Sequence, residues 1–380
     1  MPDSPEGLLN PAVSRRLWAV LALGAAAPSW AGLDDEVRAQ QAAYRPRLAW
    51  QPTPGWADEA RAVARRLVLQ PGDDGTPFHP DTLATEDRGD HWAERLQFTA
   101  TLGQRVGALH LRPKAPGPHP AVLLLHDHGA RFDIGKEKLI RPIGDPARET
   151  AARAWVQRYF DGVWLGERLV RAGHAVLAID ALGWGERARP DFARDDQQAL
   201  AAHLQQLGLS WAGLIASDDL RALRCLRAQA HVDPQRVATM GFSMGALRAW
   251  QLAALAPEEV QACVAAHWMC TREGLLRPGG HTLQGQSAYA MLHPGLAAEL
   301  DHPDVAALIA PRPLLLFASP TDRLFPWDAV QDGLRQLSRA WSGPKAANLS
   351  VRITPDGHRL GEGAQRQALA WLAACFQAPA

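Results

Sequence analysis

Gly241-Phe242-Ser243-Met244-Gly245 joins two stretches of different texture. Before it, residues 236–240 form a short, mostly apolar run, and after it residues 246–256 carry the Ala- and Leu-rich composition of a helix. A serine between two glycines at such a junction predicts a strand-to-helix turn too sharp for side chains at the flanking positions. It also predicts a strained serine backbone, with the side chain at the head of a helix where free N–H groups and the macrodipole favour negative charge.

The same alternation of run and helix recurs on both sides. Residues 121–125, 174–179, 260–266, 313–318 and 349–353 are further apolar runs, and unbroken runs of this kind belong to strands buried on both faces. Helical stretches at 218–230, 244–256, 328–340 and 362–376 lie among them. Repeated βα units predict an α/β fold, a mostly parallel central sheet flanked by helices. Upstream, residues 95–101 and 105–111 alternate about a short turn at Gly103, as a hairpin does. Residues 1–90 read as Ala- and Arg-rich helical pieces broken by Pro46, Pro52, Pro54, Pro71, Pro77 and Pro80. They are expected to form an N-terminal helical extension ahead of a catalytic domain at 91–380. Two long connections, 131–155 and 271–310, are expected to be lid-like insertions or substrate walls.

A chain of 380 residues, 47% of them hydrophobic, has material for a large core. Its 40 basic and 40 acidic side chains create no global field for a polyanion, so no nucleic-acid partner is expected. Cys225, Cys263, Cys270 and Cys375 form no Cys-x-x-Cys pair, so buried free thiols are expected rather than a zinc ribbon or redox dithiol. Ser14-Arg15-Arg16, the apolar stretch 17–27 and Ser29-Trp30-Ala31 together have the form of a twin-arginine export signal, opposed by Asp3 and Glu6 upstream. A cytoplasmic location is the expectation, with periplasmic export as its alternative. That stretch is too short to span a bilayer, so no stable membrane anchor is expected. Nothing in the composition fixes an oligomeric state.

A serine hydroxyl is a weak nucleophile and needs a base, which in turn needs an orienting carboxylate. Parallel strands put their carboxyl ends on one edge, so the partners should lie in loops that follow later strands. Run 313–318 leads into Ser319-Pro320-Thr321-Asp322, and run 349–353 into Thr354-Pro355-Asp356-Gly357-His358. Asp322 is thus the expected acid and His358 the expected base. Asp328 reads instead as a helix cap, and Asp356 as a turn residue. Oxyanion donors are expected at the backbone N–H of Met244 and in the loop His126-Asp127-His128-Gly129, at His128 or, in the alternative register, Gly129. His126 and Asp127 should shape that loop, and Asp180, opening Asp180-Ala181-Leu182-Gly183-Trp184-Gly185, should support it. No His-Glu-x-x-His and no second His-Asp cluster accompanies these residues, so neither a metal nor another cofactor is expected. Arg131, Lys136, Lys138 and Arg141 are expected on a solvated face, with a subsite for a substrate carboxylate as the alternative.

His126-Asp127-His128-Gly129 followed by Phe132-Asp133-Ile134-Gly135-Lys136-Glu137-Lys138 resembles the dienelactone hydrolase-like and acetyl xylan esterase-like branch of the α/β hydrolases, over residues of about 95 to 376. The resemblance implies the α/β-hydrolase fold, a Ser243, Asp322 and His358 triad and an oxyanion loop at His128. It further implies hydrolysis of a small-molecule carboxylic ester, such as an acetyl ester of a carbohydrate, through an acyl-serine. Dienelactone hydrolases carry a cysteine where this chain has Ser243, a departure that counts against lactone ring-opening. A peptidase or acyltransferase on the same residues, and a catalytically silent binding protein of the same fold, are the alternatives.

Overall fold

Nine strands form one sheet: β1 Asp81–Asp87, β2 His91–Thr99, β3 Arg105–Pro113, β4 His119–Leu125, β5 Ala175–Ile179, β6 Val232–Phe242, β7 Ala262–Ala266, β8 Leu314–Ala318 and β9 Leu349–Ile353. Their spatial order is β1-β2-β3-β5-β4-β6-β7-β8-β9. The pairs from β5 through β4 and β6 to β9 are parallel, and β1, β2 and β3 add an antiparallel edge. This is the α/β-hydrolase arrangement. The computed structural model describes residues 32–276 and 286–377.

Alternation along the strands feeds two cores. Leu123 and Leu125 of β4 enter one, with the helices Trp56–Val68, Trp211–Arg227, Met244–Leu255 and Trp327–Ser338. Val122 and Leu124 enter the other, with Pro146–Phe160, Leu165–Arg171 and Glu362–Gln377. A strand covered on both faces has no place for a polar residue, which is why β4, β5, β7 and β8 read as continuous apolar runs. Their carboxyl ends share one edge, and the loops from that edge carry the candidate site. All four cysteines are free; Cys225, Cys263 and Cys270 are buried, and Cys375 is half-buried.

The expected helical extension over residues 1–90 requires correction. The chain divides into the units Met1–Tyr44 and Arg45–Ala380, so residues 45–90 belong with the sheet. In the first unit a helix spans Leu33–Ala42. In the second, helix Trp56–Val68 buries Trp56, Ala60, Val63, Ala64 and Val68 in the larger core, and β1 pairs with β2. β1 reads Asp-Thr-Leu-Ala-Thr-Glu-Asp and is largely exposed, the composition that protects a sheet edge from adding further strands. Such a strand has no apolar alternation to betray it.

The first insertion runs inward: Phe132, Ile134, Leu139 and Ile140 are buried, and Asp145 caps helix Pro146–Phe160 by accepting a hydrogen bond from the Arg148 N–H at 3.0 Å. The second contains the short helices Arg272–Leu275, Leu296–Glu299 and His302–Ala307. The export-signal candidate at 1–31 and residues 277–285 lie outside the described residues. Among the described residues no helix is long and apolar enough to cross a membrane.

Candidate active site

β6 ends at Phe242, and Ser243 sits at φ 56°, ψ −126° as the residue before helix Met244–Leu255. A left-handed φ is rare for a side chain other than glycine and marks strain held by its surroundings. Two contacts hold the turn. The Ser243 N–H donates to the Ala266 carbonyl at the end of β7 at 2.8 Å, and the Ala246 N–H donates to the Ser243 carbonyl at 2.8 Å. The glycines are required by contact: a Cβ on Gly241 would lie 2.0 Å from the Gly245 oxygen, and one on Gly245 would lie 1.9 Å from the Leu125 oxygen.

Three loops from the same edge bring the expected side chains together. Ser243 Oγ and His358 Nε2 are 2.8 Å apart, and His358 Nδ1 is 2.7 Å from Asp322 Oδ2. Asp322 Oδ1 also accepts the Leu324 N–H at 2.9 Å, which fixes the carboxylate plane. Burial alone would raise the Asp322 carboxyl, but His267 and His358 outweigh it and hold the group below the usual carboxylate range. Asp328 lies in the first turn of helix Trp327–Ser338, and Asp356 is exposed in the loop before His358.

His267 was not singled out by the sequence. It follows β7 with φ 60°, is buried, and places Nδ1 3.5 Å from Asp322 Oδ2, so the acid faces two imidazoles. Burial lowers its pKa, opposed by Asp322. The rule that located Asp322 and His358, a polar residue just past an apolar run, also points to His267 after run 260–266. The imidazoles of His267 and His358 and the Asp322 carboxylate put possible ligand atoms within 4.8 Å of one another. An ion there would compete with the His358 hydrogen bonds to Ser243 and Asp322.

The His126–Gly129 segment is held from behind. His126 donates through Nδ1 to the Asp127 carbonyl at 2.8 Å and accepts the Ala181 N–H at Nε2 at 3.0 Å, which defines its tautomer. Burial, then the charges of Arg248 and Lys138, push its pKa well below the ordinary imidazole value, so it stays neutral. The His126 carbonyl accepts from Arg248, which is paired bidentately with buried Asp219 at 2.7 and 2.8 Å. His128 accepts the Ala130 N–H at Nδ1 at 3.0 Å and donates through Nε2 to Gln197 Oε1 at 2.8 Å. Asp127 Oδ2 accepts from the Trp155 indole at 3.1 Å. Asp180 serves one step removed: its carboxylate accepts from the Lys136 N–H at 2.8 Å, Lys136 Nζ at 2.6 Å and the Glu186 N–H at 3.0 Å.

The basic cluster is therefore not a solvated face. Lys136 and Lys138 are almost wholly buried, Lys136 against Asp180 and Glu137 and Lys138 beside Asp127, while Arg131 pairs with Asp133 at an exposed position and Arg141 with Glu86 at a partly exposed one. Lysine burial is invisible when the partner carboxylate lies 44 residues away, as Asp180 does from Lys136. Above the site is a cavity of about 150 Å³ whose lining includes Ser243, His358, His128, Trp155, Trp268 and Arg194.

A family model described as the Abhydrolase family matches residues 33–334. The chain belongs to the Abhydrolase family. The match begins well before residue 90, in agreement with the placement of residues 45–90 beside the sheet. This Abhydrolase-family chain is 29% identical over 276 residues to a Bacillus subtilis (strain 168) protein named "Putative hydrolase YtaP", covering 72% of this chain and 85% of that one. Its fold is similar to that of a "putative acetyl xylan esterase" from Bacteroides fragilis NCTC 9343, with a TM-score of 0.65, 19% identity and coverage of 86% and 83% of the two chains. It is also similar to a glucuronoyl esterase from Solibacter usitatus, with a TM-score of 0.57, 14% identity and coverage of 85% and 92%. At these identities the two structures speak for the shared fold.

Proposed function

We propose that this chain is a serine carboxylesterase that removes a short acyl group from a small ester, with acetylated carbohydrates as the substrate class. The observation that carries the reading is the unbroken relay Ser243, His358, Asp322, at 2.8 and 2.7 Å, opening into a cavity at a helix N-terminus. Ser243 Oγ attacks the ester carbonyl carbon while His358 Nε2 takes its proton, and His358 Nδ1–H donates to Asp322, which balances the imidazolium. The oxyanion meets the N–H of Met244 and that of His128 or Gly129. Collapse expels the alcohol, which leaves with the proton from His358. Water activated by His358 then cleaves the acyl-serine, releasing the acid and restoring the Ser243 hydroxyl.

Cavity size supports a small acyl group: about 150 Å³ is well below the roughly 300 to 1,000 Å³ of sites for drug-sized ligands. Trp155, Tyr159, Trp268 and Phe325 line it, and aromatic faces suit a sugar ring. The names of the two structurally similar esterases lend the carbohydrate class. Initial rates on p-nitrophenyl acetate, butyrate and octanoate test the acyl preference. The expected order of kcat/KM is acetate, butyrate, octanoate, with a loss of about tenfold or more at octanoate, since chain the cavity does not hold gains no binding energy. A peptide amide turned over faster than every ester would overturn the esterase reading.

A further inference from the structure

The side chain that most directly sets the shape of the candidate oxyanion loop is a buried ammonium. Lys138 ends the short turn Lys136–Lys138, has no exposed surface, and donates through Nζ to the carbonyls of both Asp127, at 3.0 Å, and His128, at 3.1 Å. Each of these carbonyls accepts a second hydrogen bond, Asp127 O from His126 Nδ1 at 2.8 Å and His128 O from the Trp184 indole at 3.0 Å. A carbonyl has two lone pairs, so both acceptors are filled. Nζ lies 4.9 Å from the centre of the Trp155 ring and 3.6 Å from Asp127 Oδ1, which together offset part of the cost of removing the charge from water.

A trans peptide is planar, and its N–H points opposite to its C=O. Drawing the Asp127 carbonyl toward Lys138 therefore turns the His128 N–H the other way, and drawing in the His128 carbonyl does the same for the Gly129 N–H. His128 and Gly129 both line the cavity that holds Ser243. We infer that Lys138 is the positioning residue of the oxyanion hole, its ammonium locking the two peptide units whose N–H groups meet the developing negative charge. Its own charge lies behind those dipoles with the sign that favours an oxyanion. An apolar side chain could fill the same space without the penalty of a buried charge. This inference rests on the serine-esterase reading above.

The test measures kcat and KM on p-nitrophenyl acetate, and the inhibition constant of an aryl trifluoromethyl ketone, which a serine converts to a tetrahedral oxyanion adduct. The variants are Lys138→Met, Lys138→Arg and Trp184→Phe, with Ser243→Ala as control. Lys138→Met is expected to lower kcat by about 10- to 100-fold, less than the 10²- to 10³-fold that follows loss of a whole donor. KM should hold within about twofold, and the trifluoromethyl ketone should weaken by the same factor as kcat, because only states bearing the oxyanion use the hole. Lys138→Arg should recover part of both losses, and Trp184→Phe should show smaller losses in the same proportion. A kcat and inhibition constant of Lys138→Met within about threefold of wild type would overturn the inference. So would a rise in KM alone. Should Lys138→Met fail to fold, Trp184→Phe decides, and unchanged constants there would overturn it. An inactive Ser243→Ala beside an unimpaired Lys138→Met would sink only this inference, whereas a fully active Ser243→Ala would sink the serine reading beneath it.

Discussion

Ser243→Ala is expected to lower kcat on p-nitrophenyl acetate by about 10⁴- to 10⁶-fold with no loss of fold, because in the proposed mechanism the nucleophile, its base and the acid act as one unit. His358 Nε2, 2.8 Å away, is then left with no proton to take. Residual rate, on the order of 10³- to 10⁴-fold above water, should survive from the oxyanion donors and binding alone. Stability should change by no more than about 1 kcal/mol, since the hydroxyl contributes one partly exposed hydrogen bond and alanine meets the same positive φ at comparable strain. Thermal unfolding followed by circular dichroism, run beside the rate assay, separates loss of chemistry from loss of fold. Equal turnover by both proteins would mean that another group carries the reaction.

The second large effect is expected at Asp322→Asn, a loss in kcat of about 10⁴-fold with the cavity unchanged. Asp322 Oδ2 accepts from His358 Nδ1, which leaves Nε2 unprotonated and ready to receive the Ser243 proton. An amide can instead present its NH₂ to Nδ1, and the ring then carries its proton on Nε2, the wrong nitrogen. The variant also removes a negative charge that faces both His267 and His358. A pH–rate profile beside the kcat measurement checks this: recovery of rate at high pH, where hydroxide substitutes for the base, is the expected signature, and an unchanged kcat at neutral pH would contradict it. Linkage adds a sign. The Asp322 carboxyl lies below its ordinary value, so its contribution to stability is fully present above about pH 4 and is lost as pH falls through the lowered folded value.

What could be read in advance divides by the range of the forces involved. β4, β5, β7, β8 and the second half of β6 announced themselves because a strand covered on both faces must be apolar, whereas β9, at the far edge with no buried residue, showed only as a short run of its own. The parallel arrangement then placed Ser243, Asp322 and His358 on one edge without further information. The elbow was legible for a steric reason that survives in sequence, since Gly241 and Gly245 leave no room for a Cβ. β1 was not legible, because a polar edge strand carries no periodic signal, nor was helix Trp56–Val68 as part of the larger core, because Pro52 and Pro54 suggested an interrupted appendage. Lys136 and Lys138 were misplaced at the surface. Their burial depends on Asp180, Asp127 and the Asp127 and His128 carbonyls, partners that only the tertiary fold assembles. Arg248 and Asp219, 29 residues apart, form a buried pair for the same reason.

The central claim, that Ser243 is an activated nucleophile, is tested most directly by covalent labelling. Wild-type protein and His358→Ala would each be treated with a fluorophosphonate, followed by intact-mass measurement and peptide mapping. One phosphonyl adduct per chain on the peptide containing Ser243, formed rapidly by the wild type and far more slowly by His358→Ala, is the predicted result. An unlabelled wild-type chain, a label on another residue, or equal labelling rates in the two proteins would contradict it.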